Sequence, residues 1–379
     1  MSLMRKCKAV IVIIACLMCL SGCHHGIPLE KVNLFLLIGI DCDEEGNFLV
    51  GTISPFLQEN AVKNTTENIV KAKTIYEAYA KINSSMNGNA TASKAEIMLI
   101  GKKVVQNKKW MGELDGIFRD PRSSTNARIL IVDGPVMEAF KMKLSDKPIL
   151  PLYLKELMQS TIHSNMAVPS TLQQLLRQLN DTGVTQSIPI VKIEKKKVSV
   201  TGLAFLNQVG RFMTRISVRD VPLFQLLNRN KKKGEMQIYI HHVSPYQKKE
   251  EATAIIEGAK RDINVYVENG RLYVDITLHI TASIVEKTNS KPIQSFSQEK
   301  QNVQRLEKQI KQQVDVRCNM LIKHLQKYAI DPLGLGTFFR AYSYNEWKEF
   351  ERKWPDALMK SSIRVHADIK IQNTGIVRG

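Results

Sequence analysis

The chain contains little cysteine: six residues among 379, four of which fall within the first 23 positions. Only Cys42 and Cys318 remain in the rest of the chain. Two cysteines cannot build the disulfide framework of a small secreted domain. These two can pair only if the fold brings their Cα atoms within about 7 Å, and otherwise we expect two separate buried thiols.

Motifs that indicate catalysis or metal binding are also missing. Beyond position 22 the sequence has no G-x-S-x-G nucleophile turn, no H-E-x-x-H pair and no C-x-x-C pair. His241 and His242 fall in a predicted strand, where neighbouring side chains point to opposite faces and do not share a metal ion. Gly334 and Gly336 form a G-x-G without a third glycine, which favours a turn over a phosphate-binding loop. The sequence therefore predicts a protein that is not an enzyme and has no catalytic residue, metal or cofactor.

Acidic residues are fewer than basic ones, 36 against 54, so the formal net charge is +18. Three of the cations precede position 22, and 18 less 3 leaves +15 for the remainder. No helix-turn-helix, zinc-finger or aromatic-rich RNA-binding pattern accompanies this charge, which argues against nucleic acid as the partner. The explanations that stay open are an anionic membrane surface or wall polymer, acidic loops of a partner protein, and solvated lysine-rich loops.

Long apolar runs are absent from the chain after the N-terminal segment. The longest later stretch, Leu34–Ile40, has only the length of a strand. The N-terminus itself has the three parts of a secretory signal in order. They are a basic head at 5–8, an apolar run at 9–20 and the quartet Leu-Ser-Gly-Cys at 20–23. The quartet is similar to the cleavage box of bacterial lipoproteins.

Cleavage at this box would remove residues 1–22 as a signal peptide and leave Cys23 as the first residue, with an S-diacylglyceryl and an N-acyl group. Two acyl chains, each contributing roughly 0.8 kcal/mol per buried methylene, hold a protein on a membrane far better than one chain does. Two alternatives stay open: an ordinary signal with a chance cysteine, and an N-terminal helix that remains in the bilayer. His24 and His25 follow directly, but adjacent histidines lack the spacing of a metal-ligand set.

Residue periodicity predicts strands that alternate with helices in the N-terminal half. Strands are expected at 33–41, from position 48, at 95–105 and at 127–132, and helices at 66–86, 110–118, 136–142, 153–162 and 171–179. Ser170 is expected to cap the last of these helices. An extended segment at 188–207 and a helix at 218–228 follow, and the charged segment 229–234 is typical of a linker.

The C-terminal half is predicted to be a sheet covered by a long helix. Strands are expected at 237–242, 252–257, 263–267 and 272–285, and Asn269-Gly270 predicts a tight hairpin between the last two. A helix at 297–328 carries an apolar stripe of Val303, Leu306, Ile310, Val314, Met320, Leu321 and Leu325. A helix at 345–360 and an alternating strand at 363–371 close the chain.

These elements indicate a mixed α+β fold that follows the signal peptide. We expect an N-terminal region at 23–195 and a C-terminal region at 196–379, within which 196–245 is a possible separate middle lobe. A chain of this length is long enough for two or three domains with cores of their own.

Several segments occur together in an informative order. They are the cleavage box, Leu37-Ile38-Gly39-Ile40-Asp41, Arg119-Asp120-Pro121-Arg122 with Asn126-Ala127, Thr201-Gly202-Leu203-Ala204-Phe205 with Gly210-Arg211-Phe212, Tyr328, Asp331-Pro332-Leu333-Gly334-Leu335-Gly336, Trp347, Trp354, and Ile369 through Thr374-Gly375. Together they resemble the Ger(x)C family, the C-subunit lipoproteins of spore germinant receptors. The chain departs from that family at His24-His25, where members commonly carry Trp-Asp.

The resemblance implies a protein of about three lobes, each built on a β-sheet flanked by helices. It implies a lipid-anchored, non-enzymatic subunit on the outer face of the spore inner membrane, beside a multispanning A-type subunit and a transporter-like B-type subunit in nutrient sensing. The competing hypothesis is a solute-binding lipoprotein or a wall-active enzyme. Such proteins need a cleft with convergent polar groups, or a carboxylate pair or activated nucleophile.

Overall fold

The computed structural model describes residues 32–56, 65–86, 89–107, 110–115, 123–142, 148–195, 197–228, 236–240, 252–287 and 296–373. Several predicted features lie outside the described residues: the signal peptide at 1–22, Cys23, the segment at 119–122, the linker at 229–234, His241 and His242.

Strands in these described ranges make up two large sheets and one small one. Their bounds are β1 Val32–Leu34, β2 Leu37–Cys42, β3 Phe48–Pro55, β4 Thr65–Ala72, β5 Asn89–Thr91, β6 Ile97–Gly101, β7 Arg128–Val132, β8 Ser187–Glu194, β9 Lys197–Leu206, β10 Phe212–Ser217, β11 Met236–Ile240, β12 Ala252–Glu268, β13 Arg271–Lys287 and β14 Ser362–Asn373.

Helices flank these sheets. Their bounds are α1 Ile75–Ser85, α2 Lys102–Gln106, α3 Trp110–Glu113, α4 Leu150–His163, α5 Leu172–Leu179, α6 Val221–Asn228, α7 Phe296–Lys327, α8 Leu335–Tyr342, α9 Tyr344–Glu351 and α10 Asp356–Lys360, with 3₁₀ turns at Val136–Lys141 and Val218–Asp220. The mixed α+β fold predicted from the sequence is confirmed.

The largest sheet has eight strands in the order β10-β9-β8-β7-β6-β2-β3-β4. The four central strands are parallel and the outer pairs are antiparallel. Every residue of Ile97–Gly101 is buried, because helices cover both faces of the parallel part. Helices α1 and α5 pack on one face, and α4 with the 3₁₀ turn at 136–141 packs on the other.

The second sheet has the order β11-β12-β13-β14 and is covered by α7. The hairpin predicted at Asn269-Gly270 is confirmed: both residues have positive φ, 49° and 72°, between the long antiparallel strands β12 and β13. Strand β14 then pairs parallel with β13. Its alternating side chains bury Val365 and Ala367 against α7, as the sequence pattern predicted.

The helix predicted over 66–86 is wrong in its first half. Residues Thr65–Ala72 form the edge strand β4, paired with β3, and α1 begins only at Ile75. Thr74 sets this start, since its side-chain oxygen accepts a hydrogen bond from the Glu77 amide at 3.1 Å. The Thr- and β-branched-rich segment suits a strand, and the neighbouring β3 supplies a partner that local periodicity does not reveal.

The helix predicted over 345–360 is two helices. Pro355 lacks an amide donor and restricts the backbone of Trp354, so α9 ends at Glu351 and α10 begins at Asp356. Trp347 and Trp354 therefore do not share one helix, although their rings are in contact.

Smaller differences have local causes. The cap of α5 is Thr171, not Ser170, because the Thr171 and Gln174 side chains exchange hydrogen bonds with each other's backbone amides. The strand predicted at 95–105 ends at Gly101, where α2 begins, and the two strands predicted at 252–267 are the single strand β12. The helix predicted at 136–142 is a 3₁₀ turn.

The predicted boundary at 195/196 falls between two neighbouring strands of one sheet. Strand β8 lies before it, and β9 and β10 lie after it. Backbone pairing thus joins the two predicted regions, while their division into domains stays a prediction.

Candidate functional site

The predicted lipidation residue, Cys23, lies nine positions before the first described strand, which begins at Val32. That strand pairs parallel with β5, with Val32 opposite Asn89. The Phe35 amide then donates to the Thr91 carbonyl at 2.9 Å. Any anchor at Cys23 is therefore connected, through a short segment, to a hydrogen-bonded part of the fold.

The segment at 331–336 is organised by one buried carboxylate. Asp331 is only 1% exposed. Its oxygens accept hydrogen bonds from the Leu335 amide at 3.0 Å, the Gly336 amide at 2.8 Å and the indole Nε1 of Trp354 at 3.2 Å. Burial raises the pKa of Asp331 to about 6, although these three donors act in the opposite direction.

The two glycines of this segment have separate steric roles. Gly334 has φ 69°, in the left-handed region that glycine tolerates best. A Cβ on Gly336 would lie 2.7 Å from the Trp354 ring and 2.8 Å from the Cα of Gly183. The first amides of α8 point to Asp331, so an internal carboxylate occupies the position that a phosphate takes in a binding loop. The turn predicted here is confirmed.

The same segment joins the C-terminal helices to the eight-stranded sheet. The Thr185 amide donates to the Asp331 carbonyl at 2.9 Å, and the Thr337 amide donates to the Gly183 carbonyl at 3.1 Å. Arg340 on α8 pairs with Asp181 at 3.0 Å. This contact is a structural junction between parts of the chain about 150 positions apart.

Aromatic rings surround that junction. The ring centroids of Trp347 and Trp354 are 5.2 Å apart, and Phe339 lies 5.8 Å from Trp347. Trp347 and Phe339 have no measurable exposure. Large aromatic side chains contribute strongly to core stability, so the two tryptophans are packing residues.

A second segment, Leu37–Asp41, has a packing role as well. Gly39 and Gly51 are opposite each other on β2 and β3, and an added Cβ on either would lie within 2.6 Å of the Phe140 ring. The neighbouring Asp41 carboxylate accepts a hydrogen bond from the Val136 amide at 2.8 Å. The 3₁₀ turn at 136–141 thus packs directly on this segment.

The third segment, 201–212, is fitted to its neighbours in the same way. A Cβ on Gly202 would lie 1.9 Å from the Ile216 carbonyl oxygen on β10. Phe205 is fully buried against Phe224 of α6, with ring centroids 5.3 Å apart. The Gly210 carbonyl accepts a hydrogen bond from Trp110 Nε1 at 2.7 Å. These contacts are structural and do not form a reactive group.

Sequence reasoning missed how α7 covers the outer edge of β14. Three side chains on α7 accept hydrogen bonds from backbone amides on the outer side of this edge strand: Asn319 from Val365 at 3.1 Å, Asp315 from Ala367 at 2.6 Å and Glu307 from Ile371 at 2.9 Å. Steps of four residues on a helix rise about 6 Å, close to the roughly 6.6 Å of two strand residues. Only the pairing of the two elements reveals this match.

The described part of the chain has few features that could support metal binding, nucleophilic catalysis or ligand binding. It contains no group of three or more His, Cys, Asp or Glu residues placed to hold a metal ion. Cys42 and Cys318 are free thiols, and burial raises the pKa of Cys318 to about 12. The cavity beside Asp331 measures about 10 Å³, at the lower limit for one water molecule.

No helix in the described ranges is long and apolar enough to cross a membrane.

Comparisons with known proteins identify relatives over nearly the whole chain. Residues 26–193 match the model of the spore germination protein N-terminal domain, and residues 201–375 match the spore germination B3/GerAC-like C-terminal domain. The spore germination protein GerQC of Bacillus cereus is 21% identical over 361 residues, which cover 94% of this chain and 96% of the relative. Spore germination protein A3 of Bacillus subtilis is 22% identical, with 90% of each chain covered.

A solved structure has the same fold. The crystal structure of the GerBC protein aligns with a TM-score of 0.56 at 16% identity, over 89% of this chain and 97% of the other. The described motif segments at 37–41, 201–212 and 331–336 therefore lie in a shared architecture, and their glycines and aromatic residues pack within it.

Proposed function

Because the chain belongs to the Ger(x)C family of spore germination proteins, we propose that it is a lipid-anchored C-type subunit of a nutrient germinant receptor. The observation that carries this proposal is the match of both halves, at 26–193 and 201–375, to spore germination domains. In this role the protein supports receptor assembly and signalling beside A-type and B-type subunits, on the outer face of the spore inner membrane.

The anchor is supported by the order of features at the N-terminus. A basic head, an apolar run of 12 residues and the Leu-Ser-Gly-Cys quartet precede Cys23. Nine residues span at most about 32 Å when extended, so the lipid holds β1 close to the membrane. Membrane attachment then comes from the acyl groups of Cys23.

The non-enzymatic part of the proposal is supported by the contacts of the motif residues. Asp331 is satisfied by three internal donors, and Gly39 and Gly202 are required by close packing. Acidic groups that act in catalysis need access to a substrate, whereas Asp331 is enclosed.

Replacement of Cys23 tests the anchor. We expect Cys23→Ala to move the protein from the membrane fraction of spores to the soluble fraction and to slow nutrient germination, because no acyl group can be attached. The matched control is Cys42→Ala, a half-buried free thiol, which leaves membrane retention unchanged. Full retention of the Cys23→Ala protein would refute the anchor.

Affinity isolation from spore membranes tests the receptor role. We expect the tagged wild-type chain to recover multispanning and transporter-like subunits, identified by mass spectrometry. Recovery of the chain alone, together with saturable binding of a small solute by the purified protein, would favour a solute-binding lipoprotein instead.

A further inference from the structure

One face of α7 points to solvent along most of the helix. From position 308 to the end of the helix its exposed residues are Lys308, Gln312, Val316, Met320, Lys323 and Lys327, and we call this set the α7 outer stripe. Spacings of three and four residues place them on one side of the helix. At 1.5 Å per residue, the stripe is about 28 Å long.

The position of Met320 differs from the sequence prediction. Met320 was expected in the buried stripe of the helix, yet its exposed fraction is 65%, and that of Val316 is 53%. Cys318 and Ile322 occupy the buried positions instead. Two apolar side chains one turn apart therefore lie in the middle of a solvent-facing surface.

The two described acidic residues of α7 lie on its β14 side, where Lys311 also pairs with Asp315 at 3.8 Å. The acidic side chains Glu307 and Asp315 face β14, where they accept hydrogen bonds from the Ile371 and Ala367 amides. The charged members of the outer stripe are all lysines, so the stripe has a positive end on each side of an apolar centre. Glu307 and Asp315 cover the sheet edge, so neither carboxylate lies within the stripe.

An apolar centre with charged ends is the usual arrangement of a protein interface, where the core contributes affinity and the rim contributes orientation and association rate. A helix that lies in a membrane surface instead carries a broad face of Trp, Phe and Leu. The stripe has one Val and one Met at its centre, and it is as narrow as a helix-helix contact. Its composition and shape favour a protein helix over lipid.

We propose that the α7 outer stripe is the docking surface for an acidic amphipathic helix of another receptor subunit. Apolar residues of that helix pack on Val316 and Met320, and its carboxylates pair with Lys308 at one end and with Lys323 and Lys327 at the other. This proposal rests on the proposed function, because it assumes that the chain works within a receptor complex.

The test uses the full-length tagged chain in spores, with two interface variants. Met320→Glu puts a charge at the apolar centre, and Lys308→Glu with Lys323→Glu reverses the charge at one end and cancels it at the other. We expect each to reduce the recovered amount of one receptor subunit at least about tenfold, the usual loss at a central interface residue. Met320→Leu is expected to keep recovery near that of the wild type.

The control is Lys94→Glu with Lys360→Glu, which makes the same change of net charge at exposed positions outside α7. We expect this control to recover the subunit as the wild type does. Thermal melting of each purified variant shows that its fold is intact.

A photoreactive residue, Met320→p-benzoylphenylalanine, identifies what covers the stripe. We expect a crosslink to an acidic helical segment of the subunit lost from the variants, and reversal of that segment's acids to lysine is expected to restore the Lys308→Glu, Lys323→Glu protein. A lipid adduct, or unchanged recovery by Met320→Glu, would overturn the docking proposal while the receptor role stands. Absence of receptor subunits from the wild-type isolate would instead overturn the proposed function.

Discussion

Asp315 on α7 accepts a hydrogen bond from the backbone amide of Ala367 on β14, with 2.6 Å between Oδ1 and N. Sheets normally leave the outer amides of an edge strand available to other chains, which promotes aggregation. Here a helix side chain takes the place of the missing neighbouring strand. The same hydrogen bond therefore attaches α7 to β14 and prevents the Ala367 amide from pairing with another chain.

We predict that Asp315→Ala lowers the free energy of unfolding by about 1–3 kcal/mol, because the buried Ala367 amide loses its acceptor. The measurement is urea unfolding, together with light scattering for aggregation, which should increase. Gln312→Ala, on the solvent face of the same helix, is the control and should stay within about 0.5 kcal/mol of the wild type. Equal stability of the two variants would contradict the edge-covering role.

Gly336→Ala should destabilise the junction around Asp331. The new methyl group would lie within 2.8 Å of both the Trp354 ring and the Gly183 Cα, and overpacking of a filled core costs about 1–3 kcal/mol. Gly112→Ala is the matched control, since a Cβ there meets no atom within 4 Å and alanine favours helix α3. Thermal unfolding distinguishes them: a lower melting temperature is expected for Gly336→Ala alone.

The pH dependence of stability should include a component from Asp331. Its pKa is about 6 in the folded protein and ordinarily 3.8, so the folded state binds the proton more tightly than the unfolded state does. Its contribution is therefore greatest below the ordinary value and is lost as pH rises through about 6.

Urea midpoints of wild type and Asp331→Asn at pH 4.5, 5.5 and 7 measure this component. We expect the stability difference between the two proteins to shrink as the pH rises. Carboxylates with lowered pKa values, such as Asp43 with Lys71, titrate at more acid pH and are present in both proteins. A difference that does not change with pH would show that Asp331 ionises with its ordinary pKa.

Thr171→Ala should cost about 1 kcal/mol, as loss of a helix N-cap usually does. Its hydroxyl accepts a hydrogen bond from the Gln174 amide at 3.2 Å, and the Thr171 amide donates one to the Gln174 side-chain oxygen at 3.0 Å. Ser170→Ala is the control one residue earlier, outside this capping box. Chemical unfolding should therefore rank Thr171→Ala below Ser170→Ala, and the reverse order would contradict the assigned cap.

Local patterns in the sequence were sufficient for several elements. The Asn269-Gly270 turn needs positive φ at both positions, which few other residue pairs adopt, and the hairpin forms there. Strict alternation at 363–371 identified β14. The family, too, was recognisable from short segments, because their glycines and aromatic residues are tied to specific packing.

Other features depend on residues that are distant along the chain. Strand β4 forms because β3 pairs with it, and Asp331 is buried because Thr185, Gly336 and Trp354 meet around it. The exposure of Met320 follows from the rotation of α7 that brings Asp315 and Asn319 to β14.

By itself, then, the sequence determined the mixed fold class, the hairpin and the long helix, all of which rest on spacing between near neighbours, and its short motifs resembled those of the family. Only the tertiary structure decided which strand lies at each sheet edge and which side of α7 carries its acidic residues. It also decided that Asp331 is enclosed. The physical reason is that hydrogen bonding and burial are satisfied between whole elements, and local preference yields wherever a distant partner offers a better match.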